Sequence, residues 1–150
     1  MGIRRCTCNG VATATIVPID VRINGVEHTG TITINANICS NCQLNESFIN
    51  FSYRDDVNVE NNFNFTSQSV AAPSCRFGEE SEFLQTSATG TTDGERFSGE
   101  SVLSSFGLGV DGAANVFIRG INLVDEDGDT FVQESDIIID TGRVLSCDSV

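Results

Sequence analysis

Apolar and polar residues alternate with a period of two along most of this chain, and turn dipeptides interrupt the alternation at short intervals. Successive side chains of a strand point to opposite faces, so the pattern describes strands with one dry face and one wet face. From Val17, the apolar residues Val17, Ile19, Val21 and Ile23 alternate with Pro18, Asp20, Arg22 and Asn24. Asn24-Gly25 follows, a pair that tolerates positive φ twice and so favours a two-residue hairpin. The return strand presents Ile32, Ile34, Ala36 and Ile38 on one face. Two strands around Arg54-Asp55-Asp56 are expected to point Ile49, Phe51 and Tyr53, then Val57, Val59, Phe63 and Phe65, inward. Asp93-Gly94 and Asp127-Gly128 predict two more tight hairpins, and "GRVLSCDSV" at 142–150 predicts a last short strand ending near Cys147. No window carries apolar residues at i, i+3, i+4 and i+7 over three turns, so no helix is expected.

Strands of this kind pair antiparallel and must cover their dry faces. The expected fold is all-β: an antiparallel β-sandwich of jelly-roll or Greek-key type, with about eight to ten strands. The 150 residues fit one domain. Residues 1–10 precede the first alternating strand and read as a short, exposed, Cys-bearing N-terminal arm, leaving 11–150 as the single sandwich domain.

The charge narrows the partners. Eight basic residues, all Arg, stand against 21 acidic ones, for a net charge of −13. Such a field repels nucleic-acid phosphates and anionic lipid. No stretch approaches the roughly 18 apolar residues of a membrane-spanning helix, so membrane insertion is not expected. "MGIRRCTCNGVATATIV" lacks the apolar core of a classical signal peptide. His28 is the only histidine and there is no Lys. That removes Schiff-base chemistry and any two-histidine mechanism, and no enzymatic activity is expected.

The six cysteines are Cys6, Cys8, Cys39, Cys42, Cys75 and Cys147. Cys6 and Cys8 form a C-x-C pair, and Cys39 and Cys42 a C-x-x-C pair. Three readings compete. Four thiolates in this arrangement can hold a structural zinc. A redox C-x-x-C needs its first Cys at a helix N-terminus, whereas "CSNCQLNESF" does not read as a helix. Disulfide staples, within the domain or between subunits, are the reading favoured here, with Cys75 and Cys147 as further partners.

"DEDGDTFVQESD" at 125–136 partly resembles an EF-hand loop, with Asp125, Asp127 and Asp129 as candidate calcium ligands. It departs from that pattern with Thr130 at the glycine position and Asp136 at the final Glu position. A solvated hairpin tip around Asp127-Gly128 explains the same residues.

The arm residues "RRCTC" at 4–8, leading into a strand from Val11, with Cys39, Cys42 and Cys147 as possible acceptors, give the chain a layout similar to that of bacterial endospore appendage (pilus-like) subunits and related spore-surface structural proteins. The resemblance implies a jelly-roll subunit that assembles with copies of itself by strand addition. The arm would be locked by disulfides at an extracellular or spore surface, without a classical signal peptide. Cys-x-Cys stands where a Cys-Cys connector belongs in that pattern. The alternative is a monomeric binding module, such as a calcium-dependent adhesin or a carbohydrate-binding domain.

Overall fold

The computed structural model describes residues 6–77, 82–110, 115–134, 136–139 and 142–147. Its strands are β1 (Cys8–Ile23), β2 (Val26–Ile38), β3 (Phe48–Asp55), β4 (Phe63–Val70), β5 (Ser74–Phe77), β6 (Glu82–Asp93), β7 (Ser98–Val110), β8 (Val116–Asp125), β9 (Thr130–Gln133), β10 (Ile137–Ile139) and β11 (Gly142–Ser146). Three short 3-10 turns, Ser40–Cys42, Leu44–Glu46 and Val59–Asn61, lie between strands. The fold is all-β and antiparallel, as the alternation predicts.

The closure differs from the expected sandwich. Each strand pairs with its neighbour along the chain, apart from the short detour of β5, giving the order β1-β2-β3-β4-β6-β7-β8. β9 then pairs with both β8 and β1, through Leu123↔Phe131 on one side and Ile23↔Phe131 on the other. Eight strands thus close an up-and-down barrel in place of the jelly roll or Greek key. A period-two pattern is the same for both architectures. Bulges separate them by bending long strands around a closed wall. Register shifts occur between Ile16 and Ile19, Ser67 and Ser69, Thr86 and Ala88, and Leu103 and Ser105. Gly30 and Gly90 allow neighbouring strands to press close, because a Cβ at either would run into the backbone of Arg54 or Thr66.

An eight-stranded barrel is just wide enough for side chains to fill it. One half holds aromatic rings. Phe63 meets Phe131 edge-on at 5.2 Å, Tyr53 meets Phe131 at 5.0 Å, and Phe63 lies 4.7 Å from Phe97. Toward the disulfide end the filling is aliphatic: Ile38, Leu84 and Leu108 are fully buried, and a Cβ at Gly10, opposite Ile38, would stand 3.1 and 3.2 Å from Leu84 and Leu108. Outward positions on β2 are Thr31, Thr33, Asn35 and Asn37, so that wall meets water. Among the described residues no helix is long and apolar enough to cross a membrane.

Several local expectations hold. Asn24 and Gly25 both have positive φ, and Ile23 pairs with Val26 across a two-residue hairpin. Others do not. Asp93-Gly94 opens a longer loop, with β7 starting only at Ser98 and the Gly94 N–H donating to Phe97 O. Val57 and Val59 point to solvent at 83% and 73% exposure, because the β3–β4 connection leaves the strand pattern at Asp55. Val17 is also outward, flipped by the bulge after Ile16. Residues 1–5 of the expected exposed arm lie outside the described residues. From Cys6 on, the expected arm belongs to the barrel: Cys6 and Cys8 are buried, Thr7 between them is exposed, and Cys8 already begins β1.

Candidate assembly edge

All six cysteines pair within the chain, as Cys6–Cys39, Cys8–Cys75 and Cys42–Cys147. The Cα separations of 6.0–6.2 Å fall in the ordinary disulfide range. Around them Cys6 N–H donates to Cys42 O, and Cys147 N–H donates to Thr7 O. Positive φ at Cys39, Asn41 and Cys42 curls the C-x-x-C loop back onto the start of β1. The three bonds therefore staple one end of the barrel, where β1, the C-x-x-C loop, β5 and the end of β11 meet. With every sulfur so engaged, no thiol is left for the candidate zinc site or for a cross-link to a neighbour. Three disulfides suit an oxidising, extracellular-type environment.

The wall between β8 and β1 is incomplete. β9 bridges both strands only near Arg22 and Ile23. The chain then stays on β8, with Ile137–Ile139 opposite Ile118, Phe117 and Val116. Its next described pairing is with β1, at Gly142–Ser146, opposite Ala12 to Cys8. Between Ala12 and Arg22, no strand among the described residues lies against this side of β1. The result is a slot of about 570 Å³, lined by Thr13, Ala14, Thr15, Ile16, Val17 and Ile138, among others.

The slot has a built polarity. The Cys147–Thr7 hydrogen bond shows that Thr7 turns its backbone toward the β11 side. Backbone groups alternate sides along a strand, so Thr15 turns its N–H and C=O groups, and Val17 its N–H, into the slot. The floor is apolar. Ala12 and Ile19, at the two ends, are buried at 0% and 2% exposure. Ala14 and Ile16 point the same way but are only half-buried, for want of a covering strand. Ile138 on the opposite bank is 65% exposed. An open edge over an apolar floor is a template for an added strand. Pro18, which donates no N–H, ends the usable edge.

The two acidic positions singled out by the chain's turns serve structure. Asp125 is buried, and its Oδ1 accepts N–H bonds from Asp127 and Asp129 at 3.0 and 2.8 Å. Asp129 Oδ1 accepts from Asn24 Nδ2 across the barrel rim. The three aspartates are not gathered as a calcium ligand set, and no cluster of three or more His, Cys, Asp or Glu able to hold a metal occurs among the described residues. Asp125 Oδ2 is buried without a hydrogen-bond partner. Burial, helped by the charges of Asp129 and Asp127, pushes its carboxyl above the usual range despite the two backbone bonds. A raised folded value favours the protonated form, so its cost to stability is present at neutral pH and fades as pH falls through that value. Asp125→Asn keeps the accepting Oδ1 and removes the charge. Its Tm relative to the wild type should therefore be highest at pH 7 and fall back toward acid pH, as thermal melts at both pH values would show.

His28 is not the solvated residue that its place after the hairpin suggests. Its Nδ1 lies 3.2 Å from Asp55 Oδ2, with the imidazole side chain 18% exposed. Asp55 also receives hydrogen bonds from the Asn58 and Val57 N–H groups, the Tyr53 hydroxyl and Asn61 Nδ2. Burial opposes ionisation, but these donors outweigh it and hold the carboxyl below its usual range. The network ties the β3–β4 connection to the barrel rim. It was not foreseen, because Asp55 reads as an ordinary turn residue. Comparison with known proteins gives no match to a family model, a curated protein or a solved structure.

Proposed function

We propose that this protein is a structural subunit that assembles with copies of itself by strand addition at the β1 slot, forming a filament or layer outside the cell or on a spore surface. The observation that carries the proposal is the pair of half-covered residues, Ala14 and Ile16, beneath the backbone of Thr15 and Val17, which no strand among the described residues pairs on this side. An incoming strand would bury the floor, satisfy the edge and complete the wall between β1 and β10.

The donor is the segment preceding Cys6 in another copy. Arg4 and Arg5 are the only adjacent basic residues in the chain. Glu134 and Asp136 lie between β9 and β10, at one end of the opposite bank, so the charges are complementary. The donor's own slot is an unsuitable target, since β11 already occupies the β1 edge from Cys8 to Ala12, between that segment and the slot. Donation from one copy to the next is a head-to-tail contact, which grows filaments unless its rotation closes a ring. Intrachain disulfides harden each subunit, and the contact between subunits is non-covalent.

Electron microscopy and light scattering of the wild type and of a variant lacking residues 1–5 test this. We expect ordered polymers from the wild type, surviving non-reducing denaturation only as monomers, and a folded monomer from the truncated chain. Polymers from the truncated chain would overturn the donor assignment, and a wild type that stays monomeric at high concentration would overturn self-assembly.

A further inference from the structure

The outer wall formed by β5, β6, β7 and β8 carries a second feature, independent of the slot. Arg76 pairs with Phe83, Phe83 with Gly109, and Gly109 with Phe117, so these four form one row across four strands. Ser74, Gln85 and Gly107 form the next row. β7 thus offers glycine twice on this face. A Cβ at Gly107 would stand 3.2 Å from Arg119 Cβ, and one at Gly109 would run into the rings of Phe83 and Phe117. Without those side chains the two rings meet edge-on across β7 at 6.1 Å, and the Arg119 guanidinium lies 4.5 Å from the centre of the Phe83 ring. A trough of about 280 Å³ results, lined by Ser74, Arg76, Phe83, Gln85 and Arg119.

Two of the eight arginines of a strongly acidic chain therefore share one small concavity. Neither is saturated. Among the described residues, the one ion-pair partner of Arg119 is Asp136, whose Oδ1 lies 3.9 Å from Arg119 Nε, beyond hydrogen-bond distance. Arg76 has no ion-pair or hydrogen-bond partner among the described residues.

We propose that this trough binds a carboxylate group. Stacking on Phe83 holds the plane of the Arg119 guanidinium and leaves its donors facing the opening, where a planar fork matches a carboxylate through two parallel bonds. Arg76 adds a second positive charge from the opposite bank. Ser74 and Gln85 supply polar groups beside it, with Gln85 Nε2 already donating to Ser105 Oγ at 3.0 Å. The volume lies just below the roughly 300 Å³ of the smallest drug-sized pockets. It fits one acidic side chain or one small carboxylate. Two sources share that chemistry: an acidic segment of a second copy, such as exposed Glu126 and Asp127, and a diffusible carboxylate.

The test is a nitrogen-15 NMR titration of the whole protein, dilute enough to be monomeric, at constant ionic strength, reading the Arg side-chain Nε–H and the backbone amides. The probes are sodium glutamate and the peptide Asp-Glu-Asp-Gly-Asp, with sodium chloride as the control. We expect saturable shifts at Arg76, Phe83 and Arg119, lost in the double variant Arg76→Gln, Arg119→Gln while the remaining amide spectrum is unchanged. Arg119→Lys, which keeps the charge but not the fork, should bind about tenfold more weakly. Tighter binding of the peptide than of glutamate assigns the site to a second copy, and equal binding assigns it to a small carboxylate. Shifts that chloride reproduces, or that persist in the double variant, would overturn the proposal.

Discussion

Serine at both Cys42 and Cys147 lowers the folding free energy by about 4 kcal/mol and the Tm by roughly 10–15 °C. This disulfide closes the longest loop of the three, with a sequence separation of 105. Its loss enlarges the unfolded ensemble most. It also frees the end of β11, which holds the β1 edge from Cys8 to Ala12. Serine at Cys6 and Cys39, with a separation of 33, should cost about 1 kcal/mol less on chain entropy alone. Thermal melts of the two double variants under non-reducing conditions check the order. Equal losses, or a larger loss from the Cys6–Cys39 pair, would contradict the entropic account.

The second large effect concerns assembly. Thr15→Pro should leave a folded monomer in place of the proposed polymer. The Thr15 N–H faces the slot and not β2, so the proline ring removes a donor from the open edge and obstructs an incoming strand. The β1–β2 ladder loses nothing, because Thr15 sits opposite Thr33 with its backbone turned away. The native Pro18 on the same edge shows that the strand accommodates proline nearby. Light scattering of the variant against wild type reads the change directly, and circular dichroism confirms the retained barrel. A Thr15→Pro variant that still polymerises would remove the β1 edge from the assembly.

Much of the fold was legible because each strand writes its own alternation. The Ile32, Ile34, Ala36, Ile38 face and the Phe63 and Phe65 positions are buried as the pattern requires. What the pattern omits is closure. The bond between the first and last walls of the barrel is the four-residue β9, whose "TFVQ" does not announce two partners. The bulges that curve the wall follow from tertiary packing, and one of them turned Val17 outward. Val57 and Val59 misled because the Asp55 hydrogen-bond network diverts the chain before them. The disulfide pairing was equally closed to sequence, since six cysteines allow 15 arrangements. The slot was invisible for a different reason. "DIIID" reads as an ordinary strand, and only the three-dimensional register shows that Ile137–Ile139 serve β8.

The acidic tip at 125–129 illustrates how one spacing serves two chemistries. Alternate aspartates suit a cation, but here the first of them turns inward and holds the turn through backbone N–H groups. The ligand set is lost at Asp125, the residue on which both readings depend.

The most direct measurement is amide hydrogen exchange at Thr15 and Val17 in dilute and in concentrated protein. The account predicts fast exchange at both in the monomer and strong protection once subunits assemble, with Ala12 and Ile32 protected throughout. Polymers in which these two amides still exchange freely, or a dilute monomer in which they are already protected, would contradict it.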